Sequence, residues 1–194
     1  MKKPYLVLPL AAAFCCALLA ASPDALAQSK KRTPVDQRAL LSKEVPETIA
    51  TYKKTDPDIE RFFKESVGHV VFPRIGKGGF IIAGGQGIGE VYEEGKLLGT
   101  ASITIVTVGL QVGVQEFSEI IFFRDRAALD RFKQNNFEFT ANVSAVILKA
   151  GASKGANYRD GIAVFTQPRG GAMVEVSLGT QKFSFQAETA APAK

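Results

Sequence analysis

The chain has no tryptophan, one histidine and two cysteines, and the cysteines are neighbours, Cys15 and Cys16, within an apolar run near its start. That run follows Lys2 and Lys3 and closes on Ala25-Leu26-Ala27, the pattern of a secretory signal peptide with a small-x-small cleavage site. Residues 1–27 are read as the signal peptide. The mature chain then begins near Gln28, outside the cytoplasm, as a periplasmic or secreted protein. A lipid anchor needs a small residue before the modified cysteine, and neither Phe14 nor Cys15 supplies one. Cleavage removes both thiols, which excludes a disulfide, a thiol nucleophile and a thiolate metal site from the mature chain.

Histidine chemistry is equally thin. His69 opens an apolar stretch, "VGHVVF", where a half-buried or capping imidazole is expected. Glu90, Glu93 and Glu94 lie beside a turn, and Glu116 and Glu119 flank Phe117; both groups read as solvated edges, so no metal, cofactor or catalytic residue is expected. The expectation is a protein that is not an enzyme. Charge is modest too: 24 basic and 19 acidic residues give +5, and removing Lys2, Lys3 and Asp24 leaves 22 and 18, or +4. A dense basic stripe is missing, so nucleic acid is excluded as a partner, while an anionic surface remains compatible.

What the chain does have is glycine: 18 in all, seven of them in "GGFIIAGGQGIGEVYEEG" at 78–95. A dinucleotide-binding loop requires a helix directly after its glycines, and a P-loop requires Gly-Lys-Ser/Thr. "EVYEEGK" follows instead, a strand ending in a turn, and Gly95-Lys96-Leu97 lacks the hydroxyl. Within strands, glycine marks bulges, sharp coiling or a backbone packed close by.

Residues 28–34 read as a flexible leader. Leu40, Leu41, Val45, Ile49 and Tyr52 predict an amphipathic helix over 35–54, with Pro46 as a point of kinking. Asp56 and Pro57 predict a second helix start, with Ile59, Phe62, Phe63 and Val67 inward and Gly68 as its end. Short glycine-punctuated strands follow. "SITIVTVGLQVGVQ" resembles a membrane span, but its Thr and Gln residues and its β-branched side chains favour a strand. Asp125 caps a short helix with Ala128, Leu129 and Phe132 inward, strands resume, and 187–194 read as a disordered tail. The fold class is α+β: N-terminal helices packed on an antiparallel β-sheet or partly closed barrel with one inserted helix.

Several blocks fall in one order: Arg74 and Lys77 in a basic turn, the Gly84–Gly89 run, the Gly109/Gly113 strand, the Asp125 helix and the Arg169-Gly170-Gly171 turn. Together they resemble the SYLF family, whose domains are also called Ysc84-type, from about Phe62 to Phe185; the domain is assigned to 35–186. The resemblance implies a lipid-binding module with affinity for anionic phospholipids, phosphoinositides in eukaryotic members, and actin binding in a yeast-type member. In eukaryotic members a basic amphipathic N-terminal helix meets the membrane. The matching stretch here carries Lys53, Lys54, Arg61 and Lys64, balanced by Asp56, Asp58, Glu60 and Glu65.

The residues suggest a mechanism. In "PRIGKGG", Arg74, Lys77 and the backbone at Gly78 can converge on a phosphate if the segment is a turn. Arg169 in "TQPRGG" is a second candidate, in a segment that reads as a hairpin turn. Phe62, Phe63 and Phe80 are candidates for apolar insertion, and Lys149, Lys154 and Arg159 lie in a basic loop that is either mobile or solvated. Two alternatives stand beside headgroup capture: a protein-interaction module, and a carrier enclosing an acyl chain.

Overall fold

The computed structural model describes residues 33–134, 138–139 and 145–188. The stretch read as a signal peptide, most of the expected leader and the expected tail beyond 188 lie outside the described residues.

Helix α1 spans Pro34–Thr55 and passes through Pro46, which removes one intrahelical bond, the one to the Ser42 carbonyl. Leu41, Val45 and Tyr52 are buried as expected, whereas Leu40 falls on the exposed side. Asp56 then caps a single 3-10 turn, Pro57–Ile59, by accepting the Asp58 N–H. Helix α2, Glu60–Glu65, follows and stops at Ser66, short of the expected end. Gly68 instead opens a strand, where a Cβ would stand 2.6 Å from the Tyr92 carbonyl.

Three strands dominate: β1 (Gly68–Glu93), β2 (Lys96–Phe123) and, after α3 (Arg126–Lys133), β3 (Glu138–Phe139) and β4 (Val146–Ile147), the third long one, β5 (Ile162–Ala187). The short segments expected from the glycine punctuation are thus parts of continuous strands of 26 to 28 residues. β1 and β2 form a hairpin closed by Glu94 and Gly95, both at positive φ. β5 pairs antiparallel with β2, β3 pairs antiparallel with β5, and β4 pairs parallel with it, so the open sheet is mixed, in the order β1-β2-β5-β3. Ala187 is still paired with Gly99, and the Glu188 N–H donates to Leu98, so the ordered chain runs two residues into the expected tail.

This sheet folds over on itself, and the glycine row is the reason it can. Gly85, Gly87 and Gly89 point the same way, because side-chain direction alternates along a strand. A Cβ at Gly89 would stand 2.3 Å from the Val71 carbonyl, one at Gly87 would stand 2.8 Å from that of Arg74, and one at Gly85 would stand 3.1 Å from that of Gly76. The second half of β1 therefore lies against the first, backbone to backbone. Between the two layers Val70, Phe72 and Ile75 meet Ile103, Ile105 and Phe183, and α3 adds Leu129 and Phe132. Phe183 contacts both Phe72 and Phe132, with ring centroids 5.9 and 5.5 Å apart.

The outer face of the first layer carries a second core. Leu41, Val45 and Tyr52 of α1, with Ile59 and Phe62, cover Val71, Ile120, Phe122, Ala163 and Phe165. The Tyr52 hydroxyl donates to the Ser118 carbonyl at 2.8 Å. The 149–159 loop is clipped to this corner: Asp56 accepts both the N–H and the hydroxyl of Ser153 at 2.7 Å, and Arg61 donates to the carbonyls of Ser153 and Ala156. The basic loop is therefore tied down at its centre rather than mobile.

Candidate functional site

Where the sheet doubles back, its end is apolar and bare. β1 turns at Phe80-Ile81-Ile82, with Ile81 at φ 64, a left-handed conformation that a β-branched residue rarely adopts. The register shifts there, between Phe80 and Ile82. At the same level β2 turns through Gly109 and Gly113, both at positive φ. The two bends set side chains outward on both layers. Phe80 pairs with Val112 and Gly78 with Val114 on one layer; Ile82 pairs with Val108 and Gly84 with Val106 on the other. Phe80, Ile82 and Val114 are 66, 63 and 67% exposed, and Ile81, Val106, Val108 and Val112 are exposed as well. No charged residue occurs between 78 and 89 or between 97 and 115. Farther from the tip the outer face turns polar, with Gln86, Thr104 and a hydrogen-bonded pair, Ser102 and Ser184, 2.6 Å apart.

The expected headgroup site does not assemble. Arg74 and Lys77 sit in β1, not in a turn, and three residues along a strand put their side chains on opposite faces. Arg74 points outward, where Glu44 of α1 and Glu116 hold it at 3.2 and 3.1 Å. Lys77 points between the layers, is only 8% exposed and already has an interaction partner. Gly78 faces outward against Val114. Arg169 is no hairpin residue either. The register shifts between the Glu116–Gly170 and Phe117–Pro168 pairs, which makes Arg169 the extra residue of a β-bulge. Its guanidinium donates to the Pro73 carbonyl at 2.8 Å and approaches Glu116 at 3.6 Å.

The helical candidates divide. Lys53 is paired with Glu60 at 2.8 Å and lies 4.6 Å over the Phe63 ring. Lys54 and Lys64 are exposed. Phe62 is wholly buried among Phe122, Tyr158 and Phe165, and Phe63 packs edge-on against Phe122 and His69, so neither is free to insert. Of the three candidate aromatics only Phe80 is presented. Its partners at the tip, Ile81, Ile82, Val106, Val108, Val112 and Val114, escaped sequence reasoning. The signal was the length of the uncharged runs, which periodicity alone assigned to buried strand.

Two titratable groups are buried away from the tip. His69 stacks on Tyr92 with ring centroids 5.2 Å apart, and burial, with a smaller effect from the Lys53 charge, pushes its imidazole down to about 4. Glu119 is not a solvated edge: it lies between the layers, fully buried, and burial pushes its carboxyl up to about 7 against the opposing effect of a hydrogen bond from Gln181. Glu90 is also buried and accepts from the Tyr92 hydroxyl at 2.5 Å. Among the described residues no three His, Asp or Glu side chains gather to hold a metal ion, and no helix is long and apolar enough to cross a membrane.

Residues 104–191 match the Ysc84 family model, described as Las17-binding protein actin regulator. The match begins in β2, two residues before Val106, and includes Val106, Val108, Val112 and Val114 of the tip along with all of β5. It covers less than half of the chain and leaves out β1 and the helices that precede it. No curated protein matches the sequence.

Proposed function

We propose that this protein is a non-enzymatic binding module for phospholipid surfaces, acting outside the cytoplasm at the cell envelope or at a host membrane. It holds on by inserting the tip. The observation that carries this reading is the apolar cluster of Phe80, Ile82, Val106, Val108, Val112 and Val114, left bare at one end of a fold whose other end is covered by helices. Burying a Val, Ile or Phe side chain completely is worth about 1.5–3 kcal/mol, whereas a cation near an anionic surface contributes on the order of 1 kcal/mol. Partial burial of several tip side chains therefore outweighs any two cations, and insertion does not depend on the phosphate site that Arg74 and Lys77 fail to form.

The non-enzymatic reading is supported by His69, whose ring is enclosed by Phe63, Tyr92 and Phe122. A second reading, docking of a protein partner on the same tip, draws on the family description, which names a Las17-binding protein. Co-flotation of the chain from Gln28 onward with phospholipid vesicles separates the two. Wild type should float, and a Phe80→Ser/Ile82→Ser/Val112→Ser variant of unchanged circular dichroism should stay at the bottom of the gradient. If the wild type floats with no vesicle, the lipid reading falls and the protein-partner reading takes its place.

A further inference from the structure

The tip's surroundings say which property of a lipid surface it reads. This step rests on the lipid reading above and goes beyond it: we infer that the tip recognises the apolar interior of zwitterionic or neutral phospholipid surfaces, and that headgroup charge contributes little. Three observations carry it.

The first is shape. Phe80, Val112 and Val114 face outward from one layer, while Ile82, Val106 and Val108 face outward from the other. A single partner surface covers one side of such a wedge. A fluid apolar medium covers both sides at once, which favours a bilayer over a docking protein.

The second is the electrostatics of the wedge. The β1 and β2 stretches that form it, 78–89 and 97–115, carry no charge at all. The β5 residues paired with them, 171–187, hold one acid, Glu175, and one base, Lys182, so they add no net charge.

The third is where the cations are. Arg74 and Arg169 share Glu116, and Arg74 also holds Glu44. Lys77 is buried, and both it and Lys182, opposite Thr104, already have interaction partners. Lys54 and Lys64 belong to the helical end. There Phe63 packs on His69, eleven residues along β1 from Phe80 (80 − 69), or about 36 Å at the usual strand rise. A wedge that inserts at one end leaves those two lysines far from the surface.

The test is co-flotation of the Gln28-onward chain with vesicles of phosphatidylcholine alone and of phosphatidylcholine mixed with phosphatidylglycerol, each at low and high salt. The bound fraction should differ by less than about threefold across all four conditions, since insertion is not screened by salt. The Phe80→Ser/Ile82→Ser/Val112→Ser variant should lose binding in all four, and Lys54→Glu/Lys64→Glu should keep it. Flotation confined to the anionic vesicles and lost at high salt would overturn this inference while leaving the lipid reading in place. Loss of binding in the lysine variant would also overturn it. No flotation with either vesicle overturns both.

Discussion

The two ends of the folded sheet are built from the same strands with the same alternation, yet they meet different fates. At the helical end, Val71, Ile120, Phe122 and Phe165 point outward from the first layer and are covered by α1, the Pro57–Ile59 turn and α2. At the bent end, Phe80, Val112 and Val114 point outward from the same layer and stay more than half exposed. Strand propensity and period do not separate the two sets. What separates them is the path of α1: Glu44 meets Arg74, but from there Leu41 lies beside Ile88 and Thr100 and Arg38 pairs with Glu188, away from the tip. An apolar outward row on a sheet thus becomes core or contact surface according to the element laid over it.

The sharpest way to break this arrangement is to fill the glycine row that lets the layers meet. Gly89→Val places a branched side chain where Val71 backbone already stands, 2.3 Å from a would-be Cβ, so a loss of about 3 kcal/mol or more is expected in denaturant unfolding. Gly84→Ala, with nothing within 4 Å of its would-be Cβ, is the matched control and should stay within about 0.5 kcal/mol of wild type.

Next comes the comparison of like with like across the two ends. Phe62→Ala should cost about 3–5 kcal/mol of stability, since Phe62 is fully enclosed by aromatic neighbours. Phe80→Ala should leave the thermal midpoint nearly unchanged while weakening vesicle binding. Equal losses of stability from both would mean that the tip is covered in solution.

The smallest effect is a pair of opposed pH slopes. Glu119 has its carboxyl raised from 4.5 to about 7, so the folded state holds the extra proton. Its contribution is fully present below pH 4.5 and is lost as the pH rises through 7. His69 is lowered from 6.5 to about 4, so its contribution is present above pH 6.5 and is lost as the pH falls toward 4. The two oppose each other between pH 4.5 and 6.5, which should make the wild-type thermal midpoint nearly flat there. Glu119→Gln should expose a midpoint that falls on acidification, and His69→Phe one that falls as the pH rises. A wild-type midpoint that already slopes steeply across this window would show that one of the two groups is not held as described.

Much of the helical end was legible in the sequence. Asp56 with Pro57, and Asp125, announce their turns through capping chemistry, and Leu41, Val45 and Tyr52 announce their face through spacing. The glycines were legible as close-packed backbone, but not as to which backbone they meet, because the contact joins residues of one strand that lie on either side of its own bend. The Arg74–Lys77 site failed for a different reason. Glycine beside lysine suggests a turn, but in a strand a spacing of three sends the two cations to opposite faces. The tip went unseen because an exposed valine row and a buried one have the same composition.

The bends also act as index marks for the sheet. Long strands of alternating Val, Ile and Thr tolerate slipping by two residues, since such a slip keeps every side chain on its original face. Here Gly79 is paired with Gly113, and Gly113 with Met173, at the level where the sheet turns. Slide β2 by two and either Gln111 or Gln115 takes the place of Gly113 opposite the bend, in a backbone conformation suited to glycine. The doubled sheet is therefore self-registering: the glycine at its bend penalises a slip that the alternation of side chains would allow.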